Sequence, residues 1–186
     1  SQEVRTTPRG SKASVYLAIA QLYTRVSDKA LAAAVVEQAL QPDLQDPELG
    51  PQAWSTIGHM RLMAQQNDLA LQAVRHAYAI DPASSATALL ALELMESEVL
   101  GTEHMVQGYL QRQPTAAIRS AYARVLMSLG RYSDAEAQTQ QLILQAPENA
   151  EAWLIQAQLQ AHTKDWATAL ESLRQFETLA QQNPEN

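Results

Sequence analysis

Apolar residues return every three or four positions through most of this chain, which is the period of helices buried along one face. Val15, Leu17, Ala18 and Leu22 predict one helix, which Ser11 can cap, and Ala30, Leu31, Val35 and Ala39 predict a second, opened by Asp28 and stopped at Pro42. The pattern then recurs at long range. Ala123, Gly130, Tyr132, Ala135 and Pro147 are followed 34 residues later by Ala157, Lys164, Trp166, Ala169 and Gln181. Trp54, Gly58, Ala70, Ala77 and Pro82 fall at the same internal spacing, as do Ala18, Ala30 and Pro42. A period of this length predicts a stack of helical hairpins, none of which can bury its apolar face alone.

Five hairpins are expected, over about residues 11–44, 51–84, 85–115, 116–149 and 150–183, in one domain covering 1–186. A Pro/Gly-dense stretch, Pro42 to Pro51, adds six residues to the period and predicts a long loop between repeats. The third hairpin is the irregular one. Its helices are expected near 84–98 and 102–113, with a shortened turn around Gly101. Two antiparallel helices approach closely only where a side chain is small. Ala18, Gly58, Ala123 and Ala157 meet that need on the first helices, and Ala30, Ala70, Ala135 and Ala169 on the second. Trp54, Trp153, Tyr132 and Trp166 are expected to fill the spaces between hairpins, and Ala33 to stand at a less constrained position.

Composition agrees with an all-α chain, since alanine, leucine and glutamine dominate and β-branched runs are missing. The net charge is −7, with the middle of the chain, residues 42–114, carrying nine acidic against three basic groups. No basic stripe is available to neutralise phosphates, which argues against nucleic acid and against an anionic membrane surface. The chain holds no cysteine, so disulfides and thiolate metal sites are excluded. No apolar run approaches the roughly 20 residues of a membrane span.

As a set in register, these positions resemble the tetratricopeptide repeat family over about residues 11–183. Trp54 and Trp153 are similar to its first-helix tryptophan, and Gly58, Ala123 and Ala157 to its small residue four positions later. Gly130-Arg131-Tyr132-Ser133-Asp134-Ala135 is similar to its inter-helix turn, and Pro82 and Pro147 to its terminal proline. The third repeat and Gln181 depart from the pattern. The resemblance implies a right-handed superhelical solenoid whose first helices line a concave, peptide-binding side. Gln52 to His59, Tyr122 to Leu126 and Thr163 to Ala169 also resemble the large exported repeat proteins of proteobacteria. That likeness implies a periplasmic or envelope-associated location, with the cytoplasm as the alternative.

Chemistry has little to stand on. His59, His76, His104 and His162 share no i, i+3 or i+4 spacing, so no local metal site forms. Glu93, Glu96 and Glu98 read as a solvated acidic face, since a catalytic pair needs a pocket that splits its pKa values. No nucleophile elbow and no phosphate-binding glycine loop occurs. Neither an enzyme nor a cofactor is expected; a protein or peptide partner is.

Offsets of 3, 7 and 10 return to one side of a helix, which assigns a groove face to repeat positions two, five, nine, twelve and thirteen. The first repeat contributes Lys12, Val15, Ile19, Leu22 and Tyr23, and the second Gln52, Ser55, His59, Leu62 and Met63. The fourth contributes Ala117, Ser120, Arg124, Met127 and Ser128, and the fifth Glu151, Leu154, Gln158, Ala161 and His162. Leu92, Met95 and Glu96 stand for the third, whose register is ambiguous. Met60 and Met105 are expected in the core. An apolar centre with isolated polar groups suits an amphipathic helix or an extended segment with apolar anchors. The alternative is a spacer that stacks on further repeats and has no groove of its own. The last helix carries Leu170, Leu173, Phe176 and Leu179, which predicts a fragment of a longer chain and self-association through Phe176 and Leu179.

Overall fold

A computed structural model describes residues 29–182, and Lys12, Ile19, Leu22 and Tyr23 lie outside them, with the rest of the first predicted helix. The described residues hold nine α-helices and no strand, and they divide after Asp81 into two compact units. The architecture is all-α and built of hairpins, as expected.

In the first unit α1 (Lys29–Leu40) is followed by a 3-10 turn (Gln41–Asp43), then by α2 (Gly50–Met63) and α3 (Asn67–Ile80). The expected loop from Pro42 to Pro51 is an anchored connection. Leu44 is buried, and its carbonyl accepts the Trp54 indole N–H at 3.2 Å. The Asp46 carboxylate accepts the amides of Glu48 and Leu49, and Pro51 needs no donor in the first turn of α2. Gly50 permits the close approach, because a Cβ there would meet the Leu44 carbonyl oxygen at 2.9 Å. Ala32, Ala33, Val36, Leu40, Ile57, Met60 and Ala73 form the core, with Trp54 packed against it. Ala33 is fully buried, which corrects its placement at a less constrained position: it sits on the α1 face turned into that core.

The second unit holds α4 (Ser85–Glu96), α5 (Glu103–Arg112), α6 (Ala116–Ser128), α7 (Tyr132–Gln145), α8 (Ala150–His162) and α9 (Trp166–Gln182). Ser84 and Asn149 cap α4 and α8, each side chain accepting the amide three residues on. Four hairpins close with the same turn. The amides of Gln66, Val99, Arg131 and Asp165 reach back five residues to the carbonyls of Arg61, Leu94, Leu126 and Gln160, at 2.8–2.9 Å. The residue before each amide is left-handed: Gln65 at φ 59°, Glu98 at 58°, Gly130 at 73° and Lys164 at 64°. This is the glycine-type helix terminator, with a glycine in only one of four places.

The third hairpin differs in the sense opposite to that expected. Its turn is longer, α5 starting at Glu103 where the other second helices start two residues after the left-handed one, and α5 itself is short at 10 residues. Thr102 is fully buried there and donates to the Ala91 carbonyl. Small residues stand where helices meet, with Ala70, Ala77, Ala123 and Ala135 fully buried and Ala157 and Ala169 nearly so. Trp166 does not fill a space, at 67% exposed.

Candidate functional site

The first helices of the last two hairpins, α6 and α8, lie side by side within the second unit. Ser120 and Arg124 are four apart and so share a face of α6. The Ser120 hydroxyl donates to Glu151 Oε2 at 2.7 Å, and the Arg124 guanidinium pairs with Oε1 of the same carboxylate. Glu151 stands in the first turn of α8, just after the Asn149 cap, where the helix dipole favours a negative charge. One carboxylate is thus held by two groups of the neighbouring helix. Exposure limits its worth, because Arg124 is 59% open to solvent and exposed pairs contribute about 0–1 kcal/mol. The pair orients side chains more than it stabilises the fold.

The other expected groove residues divide by position. Arg124, Gln158 and His162 are exposed and Met127 and Leu154 half-buried in the second unit; in the first, His59 and Met63 are exposed and Leu62 half-buried. Ser55 is buried, its hydroxyl donating to the Pro51 carbonyl at 2.7 Å, so this position serves the helix. Leu92 and Met95 are buried as well, and Met60 and Met105 lie in the interior. The His162 ring stacks on Tyr132 with centroids 3.6 Å apart, and His76 stacks on Trp54 at 4.5 Å. Among the described residues, no group of three His, Cys, Asp or Glu is placed to hold a metal ion.

Two polar arrangements escaped sequence reasoning. Glu103 at the start of α5 accepts the buried Tyr122 hydroxyl on Oε1 and Arg131 on Oε2, and Arg131 also binds Asp134. The Arg131 hydrogen bond holds the Glu103 carboxyl below its usual range, and burial first, then the Glu103 carboxylate, pushes the Tyr122 phenol up to about 12. Arg119 is the second. It is 8% exposed and hydrogen-bonds the neutral amides of Gln138 and Gln145, and burial lowers its pKa. Its position is that of Trp153 one period earlier, where tryptophan donates instead to the Pro147 carbonyl. The period locates Arg119, but nothing in the period announces its two glutamine partners.

A shallow cavity of about 410 Å3 opens between α7, α8 and α9, lined by Gln140, Ile143, Leu144, Trp153, Gln156, Gln160 and Ser172. No helix of the described residues is long and apolar enough to cross a membrane.

Residues 120–184 match the model of the tetratricopeptide repeat family. Solved structures share the fold over nearly the whole chain. A structure of MamA protein is 13% identical, covers 95% of this chain and 96% of its own, and has a TM-score of 0.62. MamA 41-end from Desulfovibrio magneticus RS-1 is 14% identical over 92% and 96%, at 0.61. PilW, described as a widely conserved type IV pilus biogenesis factor, is 18% identical over 90% of this chain and 77% of that one, at 0.58. No curated protein matches. At these identities the likeness is one of fold.

Proposed function

We propose that this chain, which belongs to the tetratricopeptide repeat family through residues 120–184, is a non-catalytic module that binds a protein segment across its first helices. The observation that carries the proposal is the face shared by α6 and α8, where Ser120, Arg124 and Glu151 converge across two repeats. Beside them Met127 and Leu154 are half-buried, and Gln158 is exposed. Such a face offers apolar anchors flanked by a charge pair that is already neutralised. It suits an amphipathic helix or an extended segment better than a free carboxylate, which would have to displace Glu151 from Arg124. In the first unit the same repeat positions carry His59, Leu62 and Met63.

Site-specific photocrosslinking tests this reading. A crosslinker at Gln158 or Met127 is expected to capture a partner that one at Gln141, on the exposed side of α7, does not. Equal capture from both places, or none from the α6 and α8 positions, rejects the face. The likeness to PilW, a type IV pilus biogenesis factor, supports an envelope-associated role for this chain too. Recovery of the native protein wholly in the cytoplasmic fraction would reject that part.

A further inference from the structure

The cavity between α7, α8 and α9 has a filled counterpart one repeat earlier, between α5, α6 and α7. Helices α6 and α8, and likewise α7 and α9, correspond at 34 residues. Helices α5 and α7 correspond at 33, since the buried Thr102, Val106 and Tyr109 match the buried Ala135, Thr139 and Leu142, and Pro114 matches Pro147. In the earlier place Tyr122 is 2% exposed, and its hydroxyl meets the Glu103 carboxylate and, at 3.3 Å, the Gln107 amide. Arg119 closes the same place by reaching Gln138 and Gln145. In the later place Gln156 stands for Tyr122 and Ser172 for Gln138, both shorter. Trp153 stands for Arg119, and its indole donates to the Pro147 carbonyl. Leu179, which stands for Gln145, is buried, and this corrects its expected part in self-association. The ring is gone, and about 410 Å3 is open.

The groups that received the phenol are kept. Glu136 and Gln140 stand for Glu103 and Gln107, and the Gln140 amide donates to Glu136 at 3.4 Å. Gln140 lines the cavity, as does Gln156, whose Oε1 is buried without a hydrogen bond among the described residues. An acceptor buried without a donor destabilises the folded chain until one arrives. Trp153, Gln156 and Gln160 lie about 200° round α8 from Glu151, Leu154 and Gln158. The cavity is therefore on the side of α8 away from the proposed groove face, and its occupancy is independent of that face. We propose that it binds a phenol, the ring seated in the place of the Tyr122 side chain and the hydroxyl directed to Glu136, Gln140 and Gln156. The hydroxyl donates to a carboxylate or amide oxygen and accepts from the Gln140 amide. Ile143, Leu144 and Trp153 supply an apolar wall for the ring. A tyrosine of a polypeptide and a free small phenol share this chemistry.

Two probes are added to nitrogen-15-labelled protein: para-cresol, and the blocked peptide acetyl-Ala-Tyr-Ala-amide. Saturable shifts are expected at the Trp153 indole N–H and the side-chain amides of Gln140 and Gln156, with a midpoint below about 3 mM for the better probe. The counterparts without the hydroxyl, toluene and acetyl-Ala-Phe-Ala-amide, should bind roughly fivefold more weakly or worse. Gln156→Tyr, which restores the internal ring, should abolish the shifts and raise the melting temperature. Gln140→Ala, at an exposed position, is the second variant in case Gln156→Tyr disturbs the fold; it should weaken binding about threefold, and Gln141→Ala beside it should not. The tighter of the two probes identifies the source of the ring, and either ranking supports the site. No shifts from either probe, equal binding with and without the hydroxyl, or binding unchanged in both Gln156→Tyr and Gln140→Ala overturns the proposal.

Discussion

Tyr122→Phe tests whether the third and fourth hairpins are held together by one hydrogen bond to a charged group. Tyr122 is 2% exposed, and its hydroxyl donates to Glu103, 19 residues away on α5. The neighbouring Gln107 offers that hydroxyl only a donor, at 3.3 Å, so Glu103 is its acceptor. A hydrogen bond to a charged partner contributes about 1.5–3 kcal/mol. Glu103 keeps 31% exposure, and water replaces part of what it loses, so the lower end applies. Tyr122→Phe is expected to cost about 1.5 kcal/mol, or a fall in Tm of roughly 3–6 °C for a chain of this size. Glu103→Leu removes the acceptor, among the described residues, of a buried hydroxyl and one partner of Arg131, which keeps Asp134; about 3 kcal/mol is expected. In the double variant the hydroxyl and its acceptor are both gone, so the two costs should fail to add by about 1.5 kcal/mol. The folded-state pKa of Glu103 lies below its ordinary 4.5, so its contribution is complete above pH 4.5 and fades as pH falls through the lowered value. The gap between wild type and Tyr122→Phe in urea titrations should close in that acid range. Costs that add within about 0.5 kcal/mol, or a gap unchanged at low pH, would refute the reasoning.

Three further outcomes follow from the turns, the core and the charge pair. Lys164→Gly should raise stability by roughly 0.5–1 kcal/mol in denaturant titration, because Lys164 is left-handed at φ 64°, while Gly130→Ala should lower it by a similar amount. Ala33→Leu and Ala123→Leu should each cost about 1–3 kcal/mol by overpacking, and Ala137→Leu, on the exposed side of α7, less than about 0.5; equal melts for all three would refute the assignment of buried faces. Glu151→Gln should change stability by less than about 1 kcal/mol, since it releases an exposed pair, yet should make capture at Gln158 more sensitive to salt once Arg124 is unpaired; an unchanged salt response would count against Arg124 facing a partner.

Helix ends were legible because the chain states them repeatedly. A small residue at Ala123 and Ala157, a stop at Pro147 and a 34-residue spacing each add little alone, but in register they leave one arrangement of hairpins. Turn geometry was half legible. Gly130 announces a left-handed residue, whereas Gln65, Glu98 and Lys164 adopt the same conformation without the glycine that would advertise it. The backbone bond five residues back fixes the turn in every case, and a side chain accepts the strain that the packed helices impose. Helical phase assigns Ser120, Arg124 and Glu151 to the proposed face, and the contacts of Ser120 and Arg124 with Glu151 across α6 and α8 lie on it. What phase could not read is depth: Ser55 and Ser120 share a repeat position and both are buried, which no count of offsets distinguishes from the open positions beside them. Partners chosen across hairpins were equally hidden, as with Glu103 for Tyr122 and the two glutamines for Arg119, since a period describes what repeats and these pairs occur once. Trp166 shows the same limit from the other direction. The period predicts that it packs, as Tyr132 does, but packing needs a neighbour as well as a residue, and the described residues place none over it.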